Sequence, residues 1–300
     1  MTDPQGIAVR PMVPAHDLDR YLRVLHHAEP YPRTAAEWHE RERFMASRFR
    51  RFLIGERAGE IVAIAQVTDI DTPTDGVAAR LVVDPAHRGV GHGRALAEAV
   101  DRLLTERSPS AVVVRVAAED GGSLAWAERR GFQPTYRMIR SRLELAGYDA
   151  SRRHRAVQAL RDAGLEVRVP DDRDRLYLLY NQLLQDVPEE SNPIARAVFD
   201  AQMDQPGFVV LVAADGPTWA AMAVVQPIGE DGAWNAFTGV AREYRDRGVA
   251  RALKVAVAAA VAEQGRRWIE TLNHSVNVRM LAVNRTLGYR PVATTQFMQR

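Results

Sequence analysis

The chain has 300 residues, no cysteine, 40 basic against 38 acidic residues and a formal net charge of +2, with 46% hydrophobic and 26% charged residues. This is the balance of a globular protein large enough for two domains, without the concentrated basic excess of a nucleic-acid binder. Disulfides, thiolate nucleophiles and cysteine-ligated zinc are excluded, and no apolar run approaches the roughly 18 residues of a membrane span.

The opening residues, MTDPQGIAVR, carry no basic region followed by an apolar run, so no signal peptide is expected and the cytoplasm is the expected location. A short strand is expected at IAVRPM, then helices at 17–27 and 35–48. RFLIGE, EIVAIAQVTDI and VAARLVV alternate or run apolar between Gly and Asp/Pro turns, as strands do. RALAEAVDRLL repeats its apolar residues every three or four positions and reads as a helix. A buried strand SAVVVRVAA, a short helix SLAWAERRG stopped by Gly131 and a strand region over 132–145 close the first half.

A charged, helical connector over 147–163 follows, and the same order begins again. LEVRV reads as a strand, 174–185 and 193–205 as helices, and FVVLVAA, TWAAMAVVQPI and AWNAFTGV as strands. A helix over 250–265, the strand WIETLN, a helix over 277–288 and the strand RPVATTQFM complete it. The expected domains are therefore 1–146 and 164–300. An α/β (α+β) fold is expected in each.

The two halves keep register. HRGVGHGRAL at 87–96 and YRDRGVARAL at 244–253 are offset by 157 positions, and the same offset carries Val83 onto Val240, Gly131 onto Gly288 and Pro134 onto Pro291. An internal duplication follows, with a period too long for a solenoid.

In each phrase a strand ends, a turn follows and a helix begins among glycines. A helix start presents free amides and partial positive charge, a natural seat for phosphate. Gly89, Gly91 and Gly93 let a pyrophosphate come close, with Arg88 and Arg94 beside it; Gly248, Ala250, Arg245 and Arg251 stand at the equivalent places, with Arg247 nearby. Neither copy is a P-loop, which needs Lys-Ser/Thr, nor a Gly-x-Gly-x-x-Gly fingerprint. A dinucleotide oxidoreductase would need an acid about 20 positions on after a second strand, and Glu106 falls inside the expected helix instead.

Arg-x-x-Gly-x-Gly/Ala between strand and helix resembles the coenzyme A pyrophosphate motif of the GNAT acetyltransferase superfamily. Both copies fit, as Arg88–Gly93 and Arg245–Ala250, and TLNHSVNVRMLAVNRTLGYRP and GGSLAWAERRGFQP resemble that family's following segment. The resemblance covers nearly the whole chain as two successive domains. It implies, for each, a mixed and mostly antiparallel sheet with splayed central strands flanked by helices. The pantetheine arm of acetyl-CoA would lie in the splay, with backbone groups of Val83 and Val240 lent to it. The resemblance implies no metal, and a small-molecule or peptide amine as acceptor. No nucleic-acid or membrane partner is expected.

Asn277 matches an asparagine that commonly contacts the cofactor, and reads equally as a helix cap; its counterpart is Asp120. The family's frequent acid, a Tyr four residues before the closing Gly, is replaced by Asn284 and Ala127, and the strands before both motifs hold no carboxylate. Tyr289, Glu230 and Asn284 remain as candidates for catalysis, with Glu270 and His274 behind them. Asp186, Glu189 and Glu190 are candidates to attract a cationic amine. Two function classes stay open: an acetyl-CoA-dependent N-acyltransferase with the second half catalytic, and an acyl-CoA-binding sensor or scaffold with degenerate sites.

Overall fold

The computed structural model describes residues 6–29, 31, 34–44, 49–70, 75–148, 151–187 and 193–300. They form two compact units that interleave in sequence: one of Met1–Val116, Gly122–Thr135 and Phe297–Arg300, the other of Ala117–Gly121 and Tyr136–Gln296.

Unit 1 begins with β1 (Ala8–Pro11), α1 (Pro14–His26), α2 (Ala35–Phe44), β2 (Arg50–Arg57), β3 (Glu60–Asp69) and β4 (Gly76–Val83). It continues with α3 (His92–Arg107) and β5 (Ala111–Ala117), and takes in most of α4 (Gly121–Arg129). The strands lie in chain order; β1 to β4 pair antiparallel, and β5 pairs parallel to β4. Alternation along the strands divides the core between two faces. Ala63, Ala65 and Val67 pack under Leu96, Val100 and Leu104 of α3. On the other face Ile54, Ile64 and Val82 meet Tyr21, Leu22 and Leu25 of α1 and Trp38 of α2. The start of α1 has Pro14 at its first position and no capping side chain on Val13; Asp17 reaches back instead and accepts the Val13 N–H at 2.8 Å. The last four residues of the chain run beside β5, with Arg300 and Val112 exchanging main-chain hydrogen bonds of 3.1 and 2.9 Å.

Unit 2 holds residues 136–144 of β6 (Gln133–Glu144), then α5 (Ser151–Asp162), β7 (Glu166–Arg168), α6 (Arg173–Leu184) and α7 (Arg196–Met203). After these come β8 (Val209–Asp215), β9 (Thr218–Ile228), β10 (Gly232–Val240), α8 (Val249–Glu263), β11 (Trp268–His274), α9 (Val278–Leu287) and residues 290–296 of β12 (Arg290–Gln299). Its strand order is β6-β11-β10-β9-β8-β7, antiparallel except for the β10–β11 pair. Helix α8 is apolar nearly all round, the pattern of a helix covered on every side. Its Ala252, Leu253, Val257 and Val261 share one core with the sheet residues Ala221, Ala223 and Ile269 and with Leu160 of α5.

The sheets are mixed, mostly antiparallel and flanked by helices, as expected. The segment 147–163, expected as a connector, carries α5, and its Tyr148 hydroxyl donates to the Val255 carbonyl of α8 at 3.1 Å; both belong to unit 2. Division of the chain at this segment differs from the compact units, which place residues 136–146 in unit 2 and residues 297–300 in unit 1. Across the β6–β11 pair, fully buried Glu270 accepts from Arg142 at 2.8 Å and from Arg140 at 3.3 Å, and Arg142 lies 4.3 Å from the Trp268 ring centre. The expected helix end at 45–48 and the acids Glu189 and Glu190 lie outside the described residues.

Candidate active site

Each repeated phrase folds into the same turn. Strand β10 ends at Val240, a 3-10 turn covers Arg242–Tyr244, and Asp246 (φ +61) and Gly248 (φ +78) take left-handed conformations before α8 starts. In unit 1 the turn is Pro85–His87, capped by Asp84, and Gly89 and Gly91 have φ of +80 and +97 before α3. Left-handed residues at alternate positions before a helix start turn the intervening N–H groups into a concave row suited to an anion. Gly248 and Gly91 are the N-caps, and neither helix has a capping side chain. The first amides of α8, on Val249, Ala250 and Arg251, precede the first intrahelical bond, from Ala252 N–H to the Gly248 carbonyl at 3.0 Å.

The first arginine of each motif does something the sequence reading did not assign. Arg245 Nε donates to the Val240 carbonyl at 3.0 Å, and Arg88 Nε to the Val83 carbonyl at 3.1 Å. Each arginine therefore clamps the turn to the strand it leaves. Arg94 and Arg251 are exposed beside the helix starts. Asp186, considered above as an amine attractor, is committed elsewhere: it accepts from Arg242 at 2.7 Å and from Arg245. The hydrogen bond from Arg242, followed by that from Arg245, holds its carboxyl below the usual carboxylate range.

Beyond the cradle the two units diverge. In unit 2, β10 and β11 pair only from Gly232–Trp268 to Trp234–Glu270, and a bulge between Asn235 and Phe237 then bends β10 away. Ala241 N–H donates to Ala220 of β9, so by alternation the main-chain groups of Thr238 and Val240 face the opening side. A cavity of about 130 Å³ occupies the opening, with Asn235, Thr238, Lys254, Thr271, Asn273 and Asn277 in its wall. In unit 1, β4 and β5 stay paired as far as Ala79–Val114. The 157-residue offset puts Ala78, Ala97, Val114 and Val116 where unit 2 has Asn235, Lys254, Thr271 and Asn273. These four polar residues belong to one copy.

Within that wall Asn235, 3% exposed, donates to the carbonyls of Val224 (3.1 Å) and Phe237 (2.9 Å) and accepts from Lys254 Nζ and from the Thr238 hydroxyl at 3.2 Å. Lys254 is 1% exposed, with its Nζ 5.0 Å from the Tyr289 ring centre, and burial lowers its pKa to about 7. Sequence reasoning missed it, although the signal was available: Lys254 is the single lysine among 40 basic residues.

The catalytic candidates fare unevenly. Tyr289 is 3% exposed in the hydrophobic core, its hydroxyl has no hydrogen-bond partner among the described residues, and burial pushes its pKa up. Glu230 is exposed in the turn between β9 and β10, where its carbonyl accepts from Arg266 at 3.0 Å. Asn284 is 1% exposed and donates to Asn273 Oδ1 at 2.7 Å. None of the three is in the cavity wall, whereas Asn277, Asn273 and His274 are. Asn277 does cap α9, its Oδ1 accepting the Met280 N–H at 3.1 Å. His274 stacks on Tyr136 with ring centres 4.8 Å apart, and Glu270 is held by the arginines of β6. Among the described residues no His, Asp and Glu cluster suits a metal ion, and no helix is long and apolar enough to cross a membrane.

Known proteins were compared with this chain. A mycothiol acetyltransferase of Clavibacter sepedonicus is 27% identical over 258 residues, covering 81% of this chain and 82% of that protein. Another, from Streptomyces bingchenggensis, is 45% identical over 73 residues, 24% of this chain and only 21% of its own length. That of Streptomyces avermitilis is 33% identical over 162 residues, and the chain spans 48% of it. Among solved structures, a tandem GNAT protein from the clavulanic acid biosynthesis pathway superposes with a TM-score of 0.77 at 20% identity over 98% of each chain. A GCN5-related N-acetyltransferase from Sphaerobacter thermophilus gives 0.76 at 18% identity, covering 100% of this chain and 96% of that one. These two share the fold. The model of the acetyltransferase (GNAT) family matches twice, at residues 16–132 and 174–289, and the chain therefore belongs to the GNAT acetyltransferases, with the family's domain present in tandem.

Proposed function

We propose that this chain transfers the acetyl group of acetyl-CoA to a primary amine of a small molecule or peptide, and that unit 2 carries the reaction. One observation carries the reading: a cavity with a polar wall opens between β10 and β11 beside the α8 cradle, and its Asn235, Lys254, Thr271 and Asn273 have apolar counterparts in the first copy.

The residues present fit acetyl-CoA. A cradle of left-handed Asp246 and Gly248, a helix start without a capping side chain, and exposed Arg247 and Arg251 suit a pyrophosphate. When bound, acetyl-CoA supplies an acyl group activated as a thioester. The Val240 N–H, on the side of β10 that faces the opening, is positioned to donate to a carbonyl oxygen held there, and such preorganised donors lower the barrier most where water is excluded. Holding the two reactants in one cleft supplies further acceleration. Unit 1 repeats the cradle without the polar wall, which supports a structural or cofactor-holding role for it. The relatives named mycothiol acetyltransferase make acceptors of that kind the first to assay.

A second reading, acyl-CoA binding without turnover, is favoured by Asn284 at the place where the family resemblance expects a tyrosine acid. Thiol release from acetyl-CoA across a panel of amines, run beside calorimetry with acetyl-CoA, separates the two. Turnover with any amine supports the transferase. Tight binding without thiol release supports the sensor.

A further inference from the structure

We propose that Lys254 is the proton acceptor for the acetyl transfer, taking the proton that an incoming ammonium must lose before its nitrogen can attack. The inference rests on the transferase reading of unit 2 and assigns the residue that reading leaves open.

Composition singles the residue out. The chain has 39 arginines and one lysine. An arginine stays protonated in any protein environment, whereas a buried lysine can lose its proton and act as a base. A chain that uses arginine at every other basic position has lysine at the one position where a removable proton matters.

Placement supports the same role. Lys254 lies one helical turn beyond Ala250 of the cradle, about 6 Å along α8, and its side chain reaches the wall of the cavity where β10 and β11 part. Its Nζ donates to Asn235 Oδ1, on the strand where the family's carboxylate base would stand. The offset position in unit 1 is Ala97. A purely structural ammonium in this setting would be expected to have a carboxylate partner, because an unpaired buried charge is costly. Among the described residues the contacts of Nζ are Asn235 and the Tyr289 ring. The carboxylate nearest in the cavity wall, Asp186, is taken by Arg242 and Arg245. Burial without compensation brings the ammonium to the edge of deprotonation near neutral pH. The other titratable groups around it are Tyr289, shifted up by burial, and His274, whose Nδ1 accepts from the Val276 N–H at 3.1 Å.

The step balances. The acceptor ammonium gives one proton to neutral Nζ, and the freed lone pair forms the C–N bond at the acetyl carbonyl carbon. The C–S bond breaks with its electrons on sulfur. Nζ returns its proton to that sulfur, and the second amine proton leaves to solvent.

A single lysine makes the test direct. Full-length protein labelled with [ε-13C]lysine should show one lysine Cε signal, titrating with a midpoint near 7; a midpoint above 9 overturns the proposal. In Lys254→Met, acetyl-CoA binding by calorimetry should stay within threefold of wild type, while thiol release with the amine that wild type turns over best falls at least 100-fold. The limb of the wild-type pH–kcat profile near 7 should vanish with it. A variant that keeps kcat within threefold overturns the proposal alone. So does a limb that survives in Lys254→Met and disappears in His274→Gln. Wild-type protein that binds acetyl-CoA but acetylates no amine overturns the transferase reading and this inference together.

Discussion

Asn284 donates a 2.7 Å hydrogen bond to Asn273, tying the middle of α9 to the end of β11 beside the cavity. The residue that replaces the family's tyrosine thus holds a cavity-wall side chain in place, while its own Oδ1 is buried without a partner among the described residues. Asn284→Ala should lower stability by about 1–3 kcal/mol, because Asn273 loses its donor. Thiol release should fall less than tenfold. Urea unfolding and steady-state kinetics check both. A loss of activity above 100-fold at unchanged stability would give Asn284 a direct part in the chemistry.

The lone lysine should also govern how stability responds to alkali. Burial puts its folded pKa at about 7, below the ordinary 10.5. Between those values the unfolded chain binds the proton that the folded one has lost, so wild-type stability rises with pH across that window. Below it both states are protonated and the full burial cost is felt. Lys254→Met should therefore be more stable than wild type at pH 6, on the order of 3 kcal/mol after losing the Asn235 contact. The advantage should shrink toward pH 10.5, as read from urea midpoints.

The two cradles invite a paired substitution. Gly248 and Gly91 both have positive φ, and a side chain there costs about 1 kcal/mol of backbone strain. An added Cβ on Gly248 meets no protein atom within 4 Å, so any larger effect of an alanine there must come from a ligand. Gly248→Ala should weaken acetyl-CoA binding at least tenfold by calorimetry. Gly91→Val should leave kcat within twofold if unit 2 alone turns over.

Acid should remove the stabilisation that Asp17 supplies. This 1% exposed carboxylate is bonded by Arg10 at 2.7 Å, Arg20 at 2.9 Å and the Val13 N–H at 2.8 Å. The Arg10 hydrogen bond leads in lowering its pKa from 3.8 to about 2. Its contribution is fully present above pH 3.8 and disappears as pH falls through 2. Asp17→Asn should cost about 3 kcal/mol at pH 7, and the gap in urea midpoint from wild type should close steadily below pH 3.8.

Much of this architecture was legible in the residues. Apolar spacing marked β3, α3, β9 and α8, and the 157-residue register exposed the duplication because glycines held at positive φ, such as Gly91 and Gly248, tolerate few replacements. The pairing of β6 with β11 was not legible. Alternation specifies a strand and its faces but says nothing of its neighbour, and Arg142 and Glu270, which meet across that pair, are separated by 128 positions. The catalytic candidates were chosen by nearness to motif glycines, which does not report which way a side chain points. Tyr289 turned into the core and Glu230 stayed in a surface turn for that reason. Lys254 looked like one more polar break in an alanine-rich helix until its chemistry was set against 39 arginines.

The interleaving of the compact units along the chain has a consequence for engineering. A gene begun at residue 147 would strip β11 of β6, the strand that covers its outer side. The bared main-chain groups would then invite pairing with another molecule. Truncation designed on the repeat alone therefore produces an aggregating fragment.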